Sequence, residues 1–498
     1  MMKALNRWFW VVLNGSFFCV ANAHIVSTTP DHQIVENKSV AGNIAQKHIE
    51  HVKDAQDSRQ NIVHTDEKTV FTSQNQGLFE SRANLPSHRP VADISDEQLD
   101  SFMLGKSFFS KPWVLAPTAT TARDGLGPLF NANSCTSCHA VNRLKADLFT
   151  PTSGINRALV FKLSMPKQHS QRPMEEATVY DPIYGGQIAI NGSVEVPFEM
   201  ETKIKWQTHE EKLADGTIVV LKKPIAEVDH LNYGPLNKDS VISIRFSPLL
   251  VGQGLLAQIA EKDILSHADP DDRDQDGISG RVNWVYNPLT RTKELGRFGY
   301  KASAANIAMQ TAHAAANDMG LTNSYYPEEL CTSYQQACLN APKSAQTPEG
   351  NLDLPDNRLQ AIANYLLYMK SPANIALQGK GYALFKSLKC ASCHTPEQKT
   401  VTGLVFQPFT DVLLHDMGDA LSDGRFEFEA TDREFRTTPL WGLGAKVMAG
   451  IPLLHDARAK TMTEAIMWHG GEALYSKEKF QQLNASDRQA LLEFLESL

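Results

Sequence analysis

Helical spacing of apolar residues recurs at three places along this chain. Leu99, Phe102, Met103 and Phe109 follow Ser95-Asp96-Glu97-Gln98, where Ser and Gln stand three apart as in a capping box, so a helix is expected from about residue 96. Leu359, Ile362, Ala363, Leu366 and Leu367 repeat at intervals of three and four until Ser371-Pro372 ends the run. Leu491, Phe494, Leu495 and Leu498 do the same behind Ser486-Asp487-Arg488-Gln489, read as their cap. Before the first of these, from His24 to about Pro90, the chain is polar and reads as a flexible lead or loose wrapping. Up to about residue 250 the middle turns to loops with short β-prone runs such as Val194-Glu195-Val196 and Thr217-Ile218-Val219-Val220-Leu221.

The first residues depart from this pattern. Lys3 and Arg7 precede an apolar run from Trp8 to Val20, and Ala21-Asn22-Ala23 offers small residues for cleavage, so residues 1–23 are expected to be a secretory signal peptide. A membrane anchor is the alternative, but the run is shorter than the roughly 20 apolar residues a spanning helix needs. No later segment is long and apolar enough to span, so an exported mature protein without a membrane span is expected. Against 56 Asp plus Glu there are 48 Lys plus Arg, a net charge of −8, and no basic excess points to a nucleic-acid partner.

Two stretches carry the chemistry. Ser134-Cys135-Thr136-Ser137-Cys138-His139 and Lys389-Cys390-Ala391-Ser392-Cys393-His394 each contain Cys-x-x-Cys-His, the attachment signature of a c-type haem. Two thiols at this spacing add to the two vinyl groups of one porphyrin and leave the following imidazole beneath the iron, so Cys135, Cys138, Cys390 and Cys393 would hold two haems, with His139 and His394 as proximal ligands. A Cys₂His zinc site or a thioredoxin-like redox pair is the alternative, but neither motif has a matching Cys or His pair close by. Each motif stands between helical patterns. The expected fold is therefore mainly α, with two cytochrome-c-like haem domains, residues 93–371 and 372–498, behind a polar, partly disordered lead over 24–92. A large loop-rich insertion with short β-strands would shape a pocket over the first haem.

Three further features follow. Cys19 leaves with the signal, so Cys331 and Cys338 remain as an even pair, expected to form a disulfide in an oxidising compartment. Asp272, Asp274 and Asp276 with Gly277 match positions 1, 3, 5 and 6 of a calcium loop, but position 12 is Asn283 rather than Glu; an acidic solvated turn is the alternative. Thr461-Met462-Thr463-Glu464 is a capping-box pattern, and the helix it starts would place Met462, Ala465, Ile466 and His469 on one face, turning His469 inward.

Asp124-Gly125-Leu126-Gly127-Pro128-Leu129-Phe130, Gly296-Arg297-Phe298-Gly299, Asn317-Asp318-Met319-Gly320, Leu413-Leu414-His415-Asp416-Met417-Gly418, Pro439-Leu440-Trp441-Gly442 and Trp468-His469-Gly470-Gly471-Glu472-Ala473 accompany the haem motifs. With these pieces, most of residues 95–498 resembles the bacterial di-haem oxidoreductases labelled peroxidases or thiol oxidoreductases, more distantly related to di-haem cytochrome c peroxidases. The resemblance implies electron transfer between two haems in the periplasm, one six-coordinate and storing an electron, the other open to a small-molecule substrate. A periplasmic electron donor or acceptor would be the partner. The thiol label follows the Cys-x-x-Cys pairs that haem explains better. Where the family often carries Glu after Gly-Leu-Leu, this chain has Ala257 and then Gln258, and Glu261 lies one helical turn on. Gln258, Glu261 and Gln187 are thus the candidates for moving a proton at an open haem, with a polar loop residue as the alternative for Gln187.

The segment from His455-Asp456 to His469 looks like the one that runs, in di-haem peroxidases, from a His-Asp-Gly turn to the Met ligating the C-terminal haem. By count His469 takes that ligand's place and Ala457 replaces the turn's Gly, which implies bis-histidine ligation; a core histidine held by a carbonyl is the alternative. Met319, Met369 and Met417 are further thioether candidates or core filling. His415 and His455, in matching Leu-Leu-His-Asp runs, are read as haem-lining or structural, each oriented by its aspartate. Trp441 and Trp468 are candidates to stand between the haems. A non-catalytic di-haem electron carrier, or a haem protein of iron handling or sensing, is the competing function.

Overall fold

Two crossing helix pairs carry the apolar core in the computed structural model, which describes residues 71, 78–82, 88–92, 94–139, 158–166, 175–344 and 351–498. The expected signal peptide and most of the lead lie outside the described residues. Helix α1 (Asp96–Ser110) packs on α2 (Asp356–Leu367), and α3 (Gly379–Ser387) packs on α4 (Ala485–Glu496). Both crossings are made close by a glycine: a Cβ at Gly105 would lie 1.8 Å from the Ala361 carbonyl oxygen, and one at Gly381 would lie 2.2 Å from that of Ala490.

Ser95 caps α1 as the spacing predicts, its hydroxyl accepting from the Gln98 N–H at 3.2 Å while the Gln98 side chain accepts from the Ser95 N–H at 2.9 Å. The inner face differs from the expected one, for Leu99 and Met103 are 38% and 53% exposed and Phe102, Gly105, Phe108 and Phe109 turn inward. On α2 all five periodic residues are buried, and Phe71, Leu78 and Val91 join their core. α4 begins one residue before Ser486, with Asn484 as its cap, accepting from the Asp487 N–H.

The fold is not mainly α. Helix makes up 28% and strand 21%, and the sixteen strands among the described residues form eight two-stranded sheets, so the chain is a mixed assembly of helices and strand pairs. The departure is largest in the middle. Strands β1 (Leu159–Ser164), β2 (Glu201–Lys212), β3 (Ile218–Asp229) and β4 (Val241–Phe246) make two antiparallel ladders, β1 with β4 and β2 with β3. In β2, Thr202, Ile204 and Trp206 are half-buried and Glu201, Lys203 and Lys205 exposed, a period of two whose outward charges hide the strand from a search for apolar runs. Val194 and Glu195 form a turn, not a strand, with Val194 97% exposed.

These strands are long, and their tip does not cover the first motif. Lys477 Nζ meets Glu211 Oε1 at 2.7 Å, the Ala214 N–H donates to the Gln481 carbonyl at 2.9 Å, and Arg488 pairs with Asp215. Leu213, Val219 and Leu221 enter the same apolar cluster as Phe385, Leu491 and Phe494. The hairpin therefore braces the surroundings of the second motif. Among the described residues no helix is long and apolar enough to cross a membrane.

Candidate functional site

Lys389, at φ 59°, turns the chain from α3 into the short helix Cys390–Cys393, and the His394 N–H closes that turn on the Cys390 carbonyl at 2.9 Å. Cys390, Cys393 and His394 open onto a cavity walled by Phe385, Leu388, Leu440, Leu443, Leu453 and Leu491. Its empty space, open solvent at the mouth included, is about 1650 Å³. His394 gives its Nδ1–H to the Phe409 carbonyl at 3.1 Å, and burial, with His469 nearby, pushes its pKa down to about 4. Its Nε2 is thus an unprotonated donor.

Met462, Ala465, Ile466 and His469 all line this cavity, as their spacing predicts. Thr461 accepts from the Glu464 N–H, while Glu464 reaches back to the Lys460 N–H, and the helix ends at Met467. His469 gives its Nδ1–H to the Ala465 carbonyl at 2.7 Å, which leaves its Nε2 free as well. The carbonyl contact expected of a core histidine and the free nitrogen expected of a ligand are therefore both present. Ala457 has φ 62°, the left-handed region that favours the Gly it replaces.

Two cations complete the lining. Arg436 bonds main-chain carbonyls of Gly299 and Thr437, Lys446 is pushed down to about 8 by burial, and neither has a carboxylate ion pair among the described residues. Two thiols, two neutral imidazoles, an apolar slot and two unpaired cations fit a haem: thioether links, axial ligands, macrocycle and propionates in turn.

His415 lies at the edge of the same cavity, between two carboxylates. Its Nε2 meets Asp411 Oδ2 at 2.8 Å and its Nδ1 meets Glu472 Oε2 at 2.6 Å. Burial opposes its charge, but Asp411 and Glu472 on either side outweigh burial and raise its pKa well above the ordinary imidazole value. The aspartate read as its partner, Asp416, instead pairs with Arg433 at 2.7 Å, because successive residues of a strand face opposite sides. His455 stacks on Phe435 at 4.3 Å with its Nε2 3.6 Å from Asp456 Oδ2, which also clasps Arg458, and burial pushes the imidazole down to about 3.

At the first motif the helix Thr136–His139 repeats the arrangement, with the His139 N–H on the Cys135 carbonyl at 2.9 Å and the His139 Nδ1–H on the Pro248 carbonyl at 2.9 Å. Gln187 stands near it: its Nε2 donates to Asp318 Oδ1 at 2.7 Å, and the Asp318 charge acts on both Cys135 and His139. Gln187 Oε1 is buried without a partner among the described residues. Gln258 uses both ends of its amide on the Phe71 N–H and the Gly254 carbonyl, and Glu261 is exposed; neither lines the second motif's cavity. All four motif cysteines are unbridged, and burial pushes Cys135 and Cys390 up to about 12, opposite to the depressed value of a reactive thiol.

The sequence model described as "Di-haem oxidoreductase, putative peroxidase" matches residues 66–498. The chain belongs to this di-haem oxidoreductase family. Curated proteins and solved structures give no significant match.

Other residues singled out in the oxidoreductase's sequence take varied places. Met319 and Met369 are buried in the core of α1 and α2, whereas Met417 lines the cavity. Trp441 fills the space that a Cβ on Gly252 would claim, and Trp468 lies under Arg458; neither lines the cavity. Donor atoms of Asp272, Asp274 and Asp276 lie within 4.8 Å of one another, and Lys389 Nζ reaches Asp276 Oδ2 at 3.4 Å. Asn283 turns away to bond the carbonyls of Lys301 and Glu427. Cys331 and Cys338 stand at disulfide distance. Asp411, Asp318, Pro248, Arg436 and Lys446 carry no sequence signal of their role, although Asp318 and Glu472 fall inside motifs of the resemblance.

Proposed function

We propose that this oxidoreductase is a periplasmic protein with two covalently held c-type haems, transferring electrons between them and a small-molecule acceptor, as a peroxidase does. The observation that carries the reading is the cavity onto which Cys390, Cys393, His394 and His469 all open. When bound, the haems supply one-electron redox chemistry. Phe409 and Ala465 fix the two imidazoles through Nδ1, so that rotation of the rings does not compete with ligation. Arg436 and Lys446 would hold the propionates of a bound haem, and the leucines would wall its macrocycle. At the first site Asp318, held by Gln187 near Cys135 and His139, would supply a carboxylate able to accept and return a proton.

His469 favours a second reading, an electron carrier without catalysis, because His394 and His469 would both hold the second iron and leave substrate no place on it. Electron paramagnetic resonance of the oxidised and half-reduced protein separates the two. A high-spin haem in either state supports the enzyme; two low-spin haems in every state support the carrier.

We also infer a calcium ion at Asp272, Asp274 and Asp276, whose oxygen donors suit a hard cation. Ion analysis of protein purified without chelator tests it: calcium should co-purify, and its absence ends the assignment.

A further inference from the structure

The end of β4 touches both candidate haem sites within three residues. The Phe246 N–H donates to the His455 carbonyl at 2.7 Å, and Phe246, His455 and Tyr300 all line the second motif's cavity. The Ser247 N–H is held on the Ala158 carbonyl at 2.9 Å. Pro248 then lines the second cavity while its carbonyl accepts the Nδ1–H of His139, the proximal imidazole of the first motif. One residue thus belongs to both sites.

We propose that Pro248 is the bridge between the two haem sites, holding the first site's imidazole on its carbonyl and walling the second with its ring, so that electrons cross between the haems over this residue. The step is simple in balance: one electron leaves the ferrous iron of one haem and enters the ferric iron of the other, and no bond or proton changes place. The route consists of an imidazole, one hydrogen bond and a single residue. The tryptophans offer nothing so direct, for Trp441 is packed against Gly252 and Trp468 under Arg458. Because Pro248 uses its carbonyl, the sequence holds no trace of the contact.

The inference rests on the two-haem reading, so haem content is measured first; a chain with fewer than two haems refutes that reading. In the two-haem protein, rapid injection of one electron is followed optically as it equilibrates between the haems. Pro248→Ala keeps the carbonyl and removes the ring: both haem spectra and midpoint potentials should stay as in the parent, and the inter-haem phase should slow several-fold. Pro452→Ala, which alters another proline of the same cavity, should leave the phase unchanged. An unchanged phase in Pro248→Ala, or equal slowing in both variants, overturns the proposal. If Pro248→Ala does not fold, relaxation measurements on the unaltered protein decide instead: the irons should be magnetically coupled, and two independent irons would overturn the bridge.

Discussion

His394 and His469 line one apolar cavity, and each ties its Nδ1–H to a main-chain carbonyl, that of Phe409 at 3.1 Å and that of Ala465 at 2.7 Å. The ties select one tautomer and leave both Nε2 atoms as donors, the arrangement in which histidines commonly bind metals.

His469→Gly should therefore convert one low-spin haem to high-spin and leave the other alone, with added imidazole restoring the low-spin signal. A bis-histidine iron also has a lower potential than a His/Met one, so an engineered His469→Met should raise the midpoint of the second haem. An unchanged spectrum in folded His469→Gly would remove His469 from the ligand set.

The parts of this site that were legible in the sequence are those set by local spacing. Cys-x-x-Cys-His, the Ser95–Gln98 box and the run from Met462 to His469 all depend on residues within two turns of one another. Long-range partners were not. His415 is held by Glu472, 57 residues on, and by Asp411 rather than by its neighbour Asp416, which strand alternation turns to the opposite face. The β2–β3 hairpin was missed because charged side chains occupy its outward positions, and no periodicity could tell that its tip rests on the C-terminal helices rather than over the first motif.

Asp423 is a test of the buried ionic cluster. Burial alone would raise its carboxyl, but Arg245 and Lys301, the latter at 3.4 Å, hold it down at about 2, against an ordinary 3.8. The stability it contributes is thus fully present above pH 3.8 and is lost as pH falls through about 2. Asp423→Asn should cost about 3–5 kcal/mol in denaturant titration at pH 7, because two buried cations lose their partner. The gap between parent and variant should shrink towards pH 2; a variant as stable as the parent at pH 7 would show the cluster to be dispensable.

Gly105→Ala places a methyl where the Ala361 carbonyl oxygen already lies, at 1.8 Å. Helices α1 and α2 must part, at a cost of about 1–3 kcal/mol. Thermal unfolding should show a lower midpoint, and an unaltered midpoint would mean that the crossing is looser than described.

If the chain is cleaved after Ala23 in an oxidising compartment, pairing of Cys331 with Cys338 and thioether links at the four motif cysteines would leave no free thiol. Thiol titration of unfolded, unreduced protein should be negative. A positive result would remove the disulfide or a thioether, and peptide mapping tells which.

The mass of the denatured mature chain tests the two-haem account most directly. Covalent attachment at Cys135, Cys138, Cys390 and Cys393 predicts a mass higher by two haems, and Cys390→Ala with Cys393→Ala should leave one. Haem released from the unaltered protein by acid-acetone extraction, with a bare polypeptide mass remaining, would contradict it.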